Sequence, residues 1–267
     1  MTTVTEATVQ QLKEYDPKRM KYPCLGQVKM DGIFSRWQPN KGKFFTRSGN
    51  EVLGLSKLKK SLGTFDKPLD GELVIPGLDF FEMNGLVRSS HETPNCVFYV
   101  FDAPVVNTGY ENRQANYYTD PLLNELSMVK PVRAHMLMNE QEADTFYHKV
   151  LSAGHEGVVY KQLTAPYKNG KHWEYLKRTP AITCECEIIG YYEGLGKLKG
   201  MLGGFLVNFN GVEVKVGGGK GLDYHARSIM WKNKEKFIGE PLKCQYKKLT
   251  AKGSMRSPQM LGVRWDI

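Results

Sequence analysis

The segment GQVKMDGIFS, residues 26–35, decides the fold of the chain, because it places a lysine inside an apolar run typical of a buried strand. Lys29 is followed closely by Asp31 and Gly32. Burying an ammonium group is costly unless another group compensates its charge. The sequence therefore predicts that Lys29 projects into a cleft in which its amine is used.

The segments around Lys29 predict an α+β domain with antiparallel sheets. They are short, rich in β-branched or aromatic residues, and separated by Gly, Asp, Pro and Asn, as in a strand meander. Helical spacing occurs in residues 121–129 and 140–154, and a short amphipathic helix is predicted over residues 5–15, ending before Pro17.

A second, smaller domain is predicted after residue 183. The composition changes over residues 177–183, and the 84 residues that follow contain about five strand segments and one helix, residues 222–237. This is the size of a small Greek-key barrel of the OB type. The predicted domains are therefore residues 1–183 and 184–267.

The net charge of +9 is concentrated in the second predicted domain. Residues 184–267 contain 14 Lys and Arg against 8 Asp and Glu. Such an excess is typical of a protein that binds a polyanion, most often nucleic acid, although a solubilising surface has the same composition.

Several classes of protein are excluded by the composition. No apolar run approaches the ~20 residues of a membrane helix, and no signal peptide is recognisable, so we expect a soluble cytoplasmic protein with no membrane partner. Cys184 and Cys186 lack a second pair of ligands, which argues against structural zinc. The glycine-rich segment KVGGGKGLD does not satisfy the P-loop pattern and is interpreted as a turn.

A series of motifs follows Lys29 along the first domain. They are KMDG (29–32), TRSG (46–49), LDGEL (69–73), VFDAP (100–104), HEGVVYK (155–161) and EYLKRT (174–179). Their order resembles the nucleotidyltransferase superfamily of ATP-dependent DNA ligases, RNA ligases and mRNA capping enzymes, whose lysine motif is K-x-D-G. Residues 194–207, 211–219 and 244–266 resemble the OB domain of a DNA ligase, so the resemblance extends from about residue 27 to residue 267.

This resemblance implies an ATP-dependent DNA ligase of the minimal type, without an amino-terminal DNA-binding domain. Lys29 would attack the α-phosphate of ATP, expel pyrophosphate and hold AMP as a phosphoramidate. The enzyme would use ATP with Mg²⁺ (or Mn²⁺) and would act as a monomer on nicked duplex DNA, sealing a 5′-phosphate to a 3′-hydroxyl.

The resemblance also implies roles for residues around the nucleotide. Gln27 would lie at the adenine edge, Phe101 would stack on adenine and Glu72 would accept hydrogen bonds from the ribose. Arg47 would contact the ribose or the 5′-phosphate of the nick.

The phosphates and the metal would be held by charged residues. The carboxylates that engage the metal would be Glu156, Asp31 and Glu72; the phosphate ligands would be Lys161 and Lys177; and Arg264 and Asp266 would close over the β- and γ-phosphates.

Two positions depart from the family pattern. Many ligases have K-x-D-G-x-R, but Phe34 stands at the arginine position, and Arg36, on the same face of a strand, could partly substitute. The last motif often ends K-x-K, whereas this chain has Lys177 followed by Arg178 and Thr179. Either Arg178 replaces the second lysine or one phosphate contact is missing.

Cations of the second domain are the predicted duplex contacts, because little sequence precedes the first motif. They are Lys197, Lys199, Lys215, Lys247, Lys248, Lys252 and Arg256, together with Arg47 of the first domain. The alternatives are an RNA ligase, a capping-type nucleotidyltransferase, or an inactive OB-type nucleic-acid-binding protein. Sealing of nicked DNA with ATP but not GTP would separate the first two from a DNA ligase.

Overall fold

Two β-sheets build the first unit of the chain, Met1–Thr179, and a third sheet builds the second unit, Pro180–Ile267. The computed structural model describes residues 9–78, 80–87, 89–105, 107–219, 222–250 and 252–263. The mixture of sheets and helices confirms the predicted α+β class. The boundary predicted after residue 183 falls inside a strand, Ile182–Glu193, and the structure divides the chain between Thr179 and Pro180.

The first sheet has the strand order β1-β11-β10-β2-β9. All its pairs are antiparallel except β1 with β11. Its strands are β1 (Gln10–Glu14), β2 (Cys24–Val28), β9 (Ala134–Leu137), β10 (Val158–Gln162) and β11 (Gly170–Arg178).

The second sheet has the order β5-β4-β3-β6-β7-β8, in which only β7 and β8 are parallel. Its strands are β3 (Ile33–Gln38), β4 (Lys43–Phe45), β5 (Glu51–Val52), β6 (Leu69–Val74), β7 (Val97–Asp102) and β8 (Val129–Pro131). One face of this sheet covers the largest apolar core, in which Trp37, Phe44 and Phe98 are fully buried.

Among the described residues of this unit, five α-helices connect and cover the strands. They are α1 (Ser56–Ser61), α2 (Phe80–Val87), α3 (Tyr110–Tyr118), α4 (Pro121–Glu125) and α5 (Glu140–Ser152). The helix predicted over residues 140–154 is confirmed as α5, whose amino terminus is capped by Asn139. The helix predicted over residues 121–129 ends early, at Glu125, because β8 starts at Val129.

The prediction of a helix over residues 5–15 was wrong for the described part. Residues Gln10–Glu14 form β1, which pairs in parallel with β11, and Val9 is buried. The ladder with β11 satisfies the backbone of a segment whose spacing alone favoured a helix, so tertiary pairing overrides local preference.

The second unit has a six-stranded sheet and one α-helix among its described residues. The strand order is β14-β13-β12-β16-β17-β15. The strands are β12 (Ile182–Glu193), β13 (Leu202–Phe209), β14 (Val212–Val216), β15 (Gly218–Gly219), β16 (Pro241–Tyr246) and β17 (Gln259–Val263), and the helix is α6 (Tyr224–Lys232). The predicted helix, residues 222–237, is realised as α6 followed by a 3₁₀ turn, Lys234–Phe237.

Candidate active site

Lys29 lies just beyond the end of β2 and is held by the loop that precedes β10. Its backbone N–H donates to the Gly157 carbonyl at 2.8 Å, and its Nζ lies 2.5 Å from Oε2 of Glu156. The Lys29 side chain is 20% exposed and that of Glu156 is 10% exposed. The compensating charge that the sequence requires for a partly buried lysine is therefore the Glu156 carboxylate.

Gly157 fixes the loop that carries Glu156. Its φ is +151°, and a Cβ atom at this position would lie 2.2 Å from the carbonyl oxygen of Arg178. Only glycine tolerates both this backbone conformation and this close approach. The HEG sequence thus brings Glu156 to Lys29 by packing the loop directly against β11.

Gln27 and Lys177 share the face of the first sheet that leads to Lys29. Val159 of β10 is the cross-strand partner of Gln27 on one side and of Lys177 on the other, and cross-strand partners project on the same face. Gln27 is only 1% exposed; its Nε2 donates to the Tyr117 hydroxyl at 2.8 Å and to the Val132 carbonyl at 2.9 Å. Its Oε1 is buried without a hydrogen-bond partner among the described residues.

Glu72 brings the second sheet to the same place. Burial is the main cause that raises its pKa, to about 7; Lys29 and Arg47 oppose this increase, while Glu156 and Asp31 add to it. Its Oε2 is buried and has no hydrogen-bond partner within the described part of the chain. The electrostatic influence of these four residues on one carboxyl indicates that the structure brings the predicted residues of both sheets together.

Phe101 is held at the end of β7 through its backbone. Its carbonyl oxygen accepts hydrogen bonds from the hydroxyls of Tyr110 (3.2 Å) and Tyr117 (3.0 Å) and from Nζ of Lys161 (2.8 Å). Because Tyr117 also accepts from Gln27, one network joins the two residues predicted to contact adenine. Neither tyrosine lies in one of the sequence motifs, so neither was predicted.

Lys161 lies deeper than a phosphate ligand would. It is 3% exposed, and its Nζ lies 4.1 Å from the centre of the Tyr110 ring and 3.8 Å from Oδ2 of Asp102. Burial lowers the pKa of Lys161 to about 8, although Asp102 favours the charged form. In the structure the Lys161 amine is engaged by a hydrogen bond to the Phe101 carbonyl.

A buried ion pair links the two sheets beneath these residues. Arg113 of α3 binds both carboxylate oxygens of Asp102, at 2.8 and 3.1 Å, and donates to the Tyr175 hydroxyl of β11 at 2.8 Å. Although burial opposes its charge, Asp102 raises the pKa of Arg113 above its ordinary value. Asp102 lies within the VFDAP motif, and this motif was the feature of the sequence that could have pointed to the buried pair.

Arg36 forms a second buried ion pair, with Asp70. Its guanidinium binds Asp70 through Nε (2.6 Å) and Nη2 (2.9 Å) and donates to the Tyr167 hydroxyl at 2.7 Å, and the residue is 4% exposed. These partners take up the guanidinium, so Arg36 does not substitute for the arginine that the family has at the position of Phe34.

Lys177 and Arg178 project on opposite faces of β11, as neighbouring residues of a strand do. Lys177 Nζ pairs with Oε1 of the exposed Glu14 at 2.9 Å, an ion pair that water screens strongly. Arg178 lies on the far face, where it pairs with Asp144 of α5 at 2.5 Å and covers the Tyr147 ring. Arg178 therefore does not replace a second lysine on the face of Gln27.

No cluster of three or more His, Cys, Asp or Glu that could hold a metal ion is found in the described ranges. Mg²⁺ is commonly held by one or two carboxylates together with substrate phosphates and water, and carboxylate oxygens suit a hard cation. Glu156, Asp31 and Glu72 offer donors of this kind, so the residues fit a metal that is bound mainly through a nucleotide.

The predicted duplex contacts of the second unit lie on its loops and on β14. Lys197 and Lys199 are exposed on the turn between β12 and β13, where Leu195 is 90% exposed. Lys215 is exposed on β14, near the Tyr192 ring. Lys247, Lys248, Lys252 and Arg256 belong to the segment between β16 and β17. Arg264 and Asp266 lie outside the described residues.

Comparison with known families gives two matches that together cover most of the chain. Residues 7–178 match the family described as ATP dependent DNA ligase domain, and residues 193–264 match the DNA ligase OB-like domain. In the described part of the chain no helix has the length and apolar character needed to span a membrane.

Individual relatives and solved structures agree with this assignment. A DNA ligase of Haemophilus influenzae is 24% identical over 197 residues, which are 73% of this chain and 72% of that protein. The phage T4 DNA ligase is 22% identical over 85% of this chain and 60% of its own length. A structure of a Lig E DNA ligase, studied for DNA binding with a minimal scaffold, covers 96% of this chain and 99% of its own, with a TM-score of 0.80 and 23% identity. The structure of the Chlorella virus DNA ligase-adenylate covers 98% of this chain and 100% of its own, with a TM-score of 0.58 and 26% identity.

Proposed function

The chain belongs to the ATP-dependent DNA ligase family, and on this premise we propose that it seals nicks in duplex DNA through a lysyl-AMP intermediate on Lys29. The observation that carries this proposal is the contact of 2.5 Å between Lys29 Nζ and the Glu156 carboxylate, at a point where groups from both sheets of the first unit meet. A lysine held at the edge of a cleft by one carboxylate is placed to act as a nucleophile once its proton has been removed.

In the proposed first step, the Lys29 amine attacks the α-phosphorus of ATP. An N–P bond forms, the bond between the α-phosphorus and the bridging oxygen breaks, and pyrophosphate leaves. Glu156 is the carboxylate placed to take up the proton that the amine loses. Lys177 of β11 is the cation that would approach the phosphates, and it would leave the weak pair with Glu14 to do so.

The nucleoside would be recognised by residues of both sheets. The unpartnered Oε1 of Gln27 suits the amino group of adenine, and the unpartnered Oε2 of Glu72 suits a ribose hydroxyl, because both atoms are acceptors. The ring of Phe101, fixed through its carbonyl, would stack on the base. When bound, Mg²⁺ would neutralise charge on the phosphates, with Glu156 and Asp31 as its protein ligands.

The DNA would be held largely by the second unit. In the proposed later steps, AMP passes from Lys29 to the 5′-phosphate of the nick, and the 3′-hydroxyl then displaces AMP. The cations on the β12–β13 turn and between β16 and β17 would contact phosphates of the duplex. Binding that depends on such contacts weakens steeply with salt.

The test is the intact mass of the full chain after incubation with ATP and Mg²⁺, beside Lys29→Ala, followed by a chase with nicked duplex DNA. We expect an AMP-sized adduct that requires Lys29 and disappears as the nick is sealed. The preparation is first treated with pyrophosphate, so that AMP already bound does not mask the reaction.

Three other results would contradict the proposal. An adduct that nicked DNA does not discharge, but nicked RNA does, would indicate an RNA ligase. An adduct formed from GTP in preference to ATP would indicate a capping-type enzyme. The absence of any adduct would indicate a binding protein without turnover.

A further inference from the structure

The position of Phe34 raises a specific problem for the proposed reaction. Phe34 occupies the place of the arginine in K-x-D-G-x-R, and the nearest cation on its strand, Arg36, is bound by Asp70 and Tyr167. The strand that carries Phe34 therefore offers no guanidinium to the site.

Arg47 supplies such a guanidinium from the turn after β4. Its central carbon lies 5.0 Å from the centre of the Phe34 ring, within the range of a cation–π contact. The residue is exposed, and no ion pair of Arg47 is found among the residues that the structure describes. Phe34 is the cross-strand partner of Glu72, so the ring that Arg47 covers lies beside this carboxylate of the site. The exposed Arg47 side chain thus lies against a ring that borders the site.

Phe34 itself is fixed from behind. It is buried, and its ring packs at a tilt of 48° against Phe101, with 6.2 Å between the ring centres. Phe101 is in turn held through its carbonyl by Lys161, whose Nζ lies 5.1 Å from the Phe101 ring centre. A continuous series of contacts therefore leads from the exposed turn to the buried interior, through Arg47, Phe34, Phe101 and Lys161.

We propose that Phe34 is a positioning residue: its ring holds the Arg47 guanidinium over the site, in the position from which Arg47 would contact the 5′-phosphate of the nick. The proposal rests on the proposed function. A long arginine side chain on an exposed turn has many rotamers, and stacking on a fixed ring reduces the entropy lost when it binds a phosphate. A bidentate guanidinium on a phosphate is among the strongest hydrogen-bonded pairs that proteins use.

The test measures nick sealing by purified adenylated enzyme in a single turnover, with Phe34→Leu, Phe34→Tyr, Arg47→Ala and the double variant Phe34→Leu/Arg47→Ala. We expect Phe34→Leu to slow sealing by about 3- to 30-fold, the worth of one cation–π contact. Phe34→Tyr keeps the ring face and should restore most of the rate. The double variant should be no slower than Arg47→Ala, because Phe34 acts through Arg47.

Phe45 provides a matched control on the same hairpin. Lys41 Nζ lies 5.1 Å from the centre of its ring, so Phe45→Leu removes a similar contact from a partly buried ring that has no proposed role. We expect this variant to seal at nearly the wild-type rate. Thermal unfolding midpoints of all variants separate a loss of positioning from a loss of folding.

The possible outcomes separate the inference from the proposed function. Additive losses in the double variant, a wild-type rate in Phe34→Leu, or an equal loss in Phe45→Leu would overturn the inference while the adduct on Lys29 still forms. If wild-type enzyme forms no adduct, the proposed function fails and the inference fails with it.

Discussion

Replacing Arg113 by methionine tests whether the buried ion pair holds the two sheets of the first unit together. The guanidinium makes five hydrogen bonds: two to Asp102, and one each to the carbonyls of Thr108 (2.5 Å) and Ala165 (2.9 Å) and to the Tyr175 hydroxyl. Methionine has similar length but no charge and no donors. The variant leaves Asp102, which is 2% exposed, as a buried carboxylate whose neighbouring cation, Lys161, is 3.8 Å away.

The expected loss follows from the burial of that carboxylate. Removing one partner of a buried ion pair costs about 3–5 kcal/mol, because the remaining charge loses its main compensation; Lys161, 3.8 Å away, is the cation that Asp102 retains. We therefore expect Arg113→Met to lower the free energy of unfolding by about this amount, measured by equilibrium unfolding of the full chain in urea. The matched control is Lys168→Met, whose pair with Glu174 spans 3.4 Å and is largely exposed, and whose loss should be under about 1 kcal/mol.

A second variant separates lost charge compensation from lost packing. If the uncompensated charge of Asp102 dominates the cost, Arg113→Met/Asp102→Leu should be no less stable than Arg113→Met alone. A loss below about 1 kcal/mol for Arg113→Met, as for the exposed pair, would refute the reasoning. A much less stable double variant would show that shape, and not charge, is what the pair supplies.

Three further predictions concern the nucleotide, the DNA and pH. Gln27→Leu should reduce the ratio of adduct-formation rates with ATP and GTP by about tenfold or more, because the buried acceptor for adenine is lost; an unchanged ratio in the intact-mass assay would contradict this role. Leu195→Ser should weaken binding to nicked duplex by about five- to tenfold, which corresponds to the free energy of partly burying one leucine. Ile238→Ser, at another exposed apolar position of the second unit, should leave binding unchanged. The dissociation constants of the two variants are compared by fluorescence anisotropy. Because burial lowers the pKa of Lys161 from 10.5 to about 8, the unfolded chain binds a proton between these pH values that the folded chain does not. As pH rises through this window, the free energy of unfolding of the wild type should therefore increase by about 3 kcal/mol relative to that of Lys161→Met. The difference between the two proteins is measured by urea unfolding at the lower and upper ends of the window. The same difference at both ends would contradict the prediction.

The motifs in the sequence predicted that residues of several strands converge on one site, but not how deep each side chain lies. Period-two alternation gives Val159 and Lys161 the same face of β10, and the observed pairing of β10 puts Gln27 and Lys177 beside Val159 on that face. The alternation does not reveal that Lys161 lies farther from the end of β2, beneath Phe101. Depth depends on the packing of α3 and of the second sheet, which are distant in sequence.

Helix α3 illustrates why part of the site could not be predicted. Its buried residues, Tyr110, Arg113 and Tyr117, are spaced at i, i+3 and i+7, but all three carry polar groups, so the segment lacks an apolar stripe. Their hydroxyls and guanidinium are satisfied by Phe101 and Asp102. A helix that buries a polar network is not recognised by a rule that searches for apolar periodicity.

Two buried acceptor atoms at the site lack a hydrogen-bond partner in the described structure, and they relate the stability of the empty protein to the choice of nucleotide. A buried polar atom without a partner costs about 1–3 kcal/mol, and folded proteins retain few of them. Gln27 Oε1 and Glu72 Oε2 are two such atoms, and Gln27 is fixed in orientation because its amide nitrogen already donates to Tyr117 and Val132. Rotating the amide would place a donor toward the site only by giving up both of these bonds. Under the proposed function the same constraint would oppose guanine, whose carbonyl oxygen would face another acceptor, so adenine would relieve the penalty that the empty protein carries and guanine would retain it.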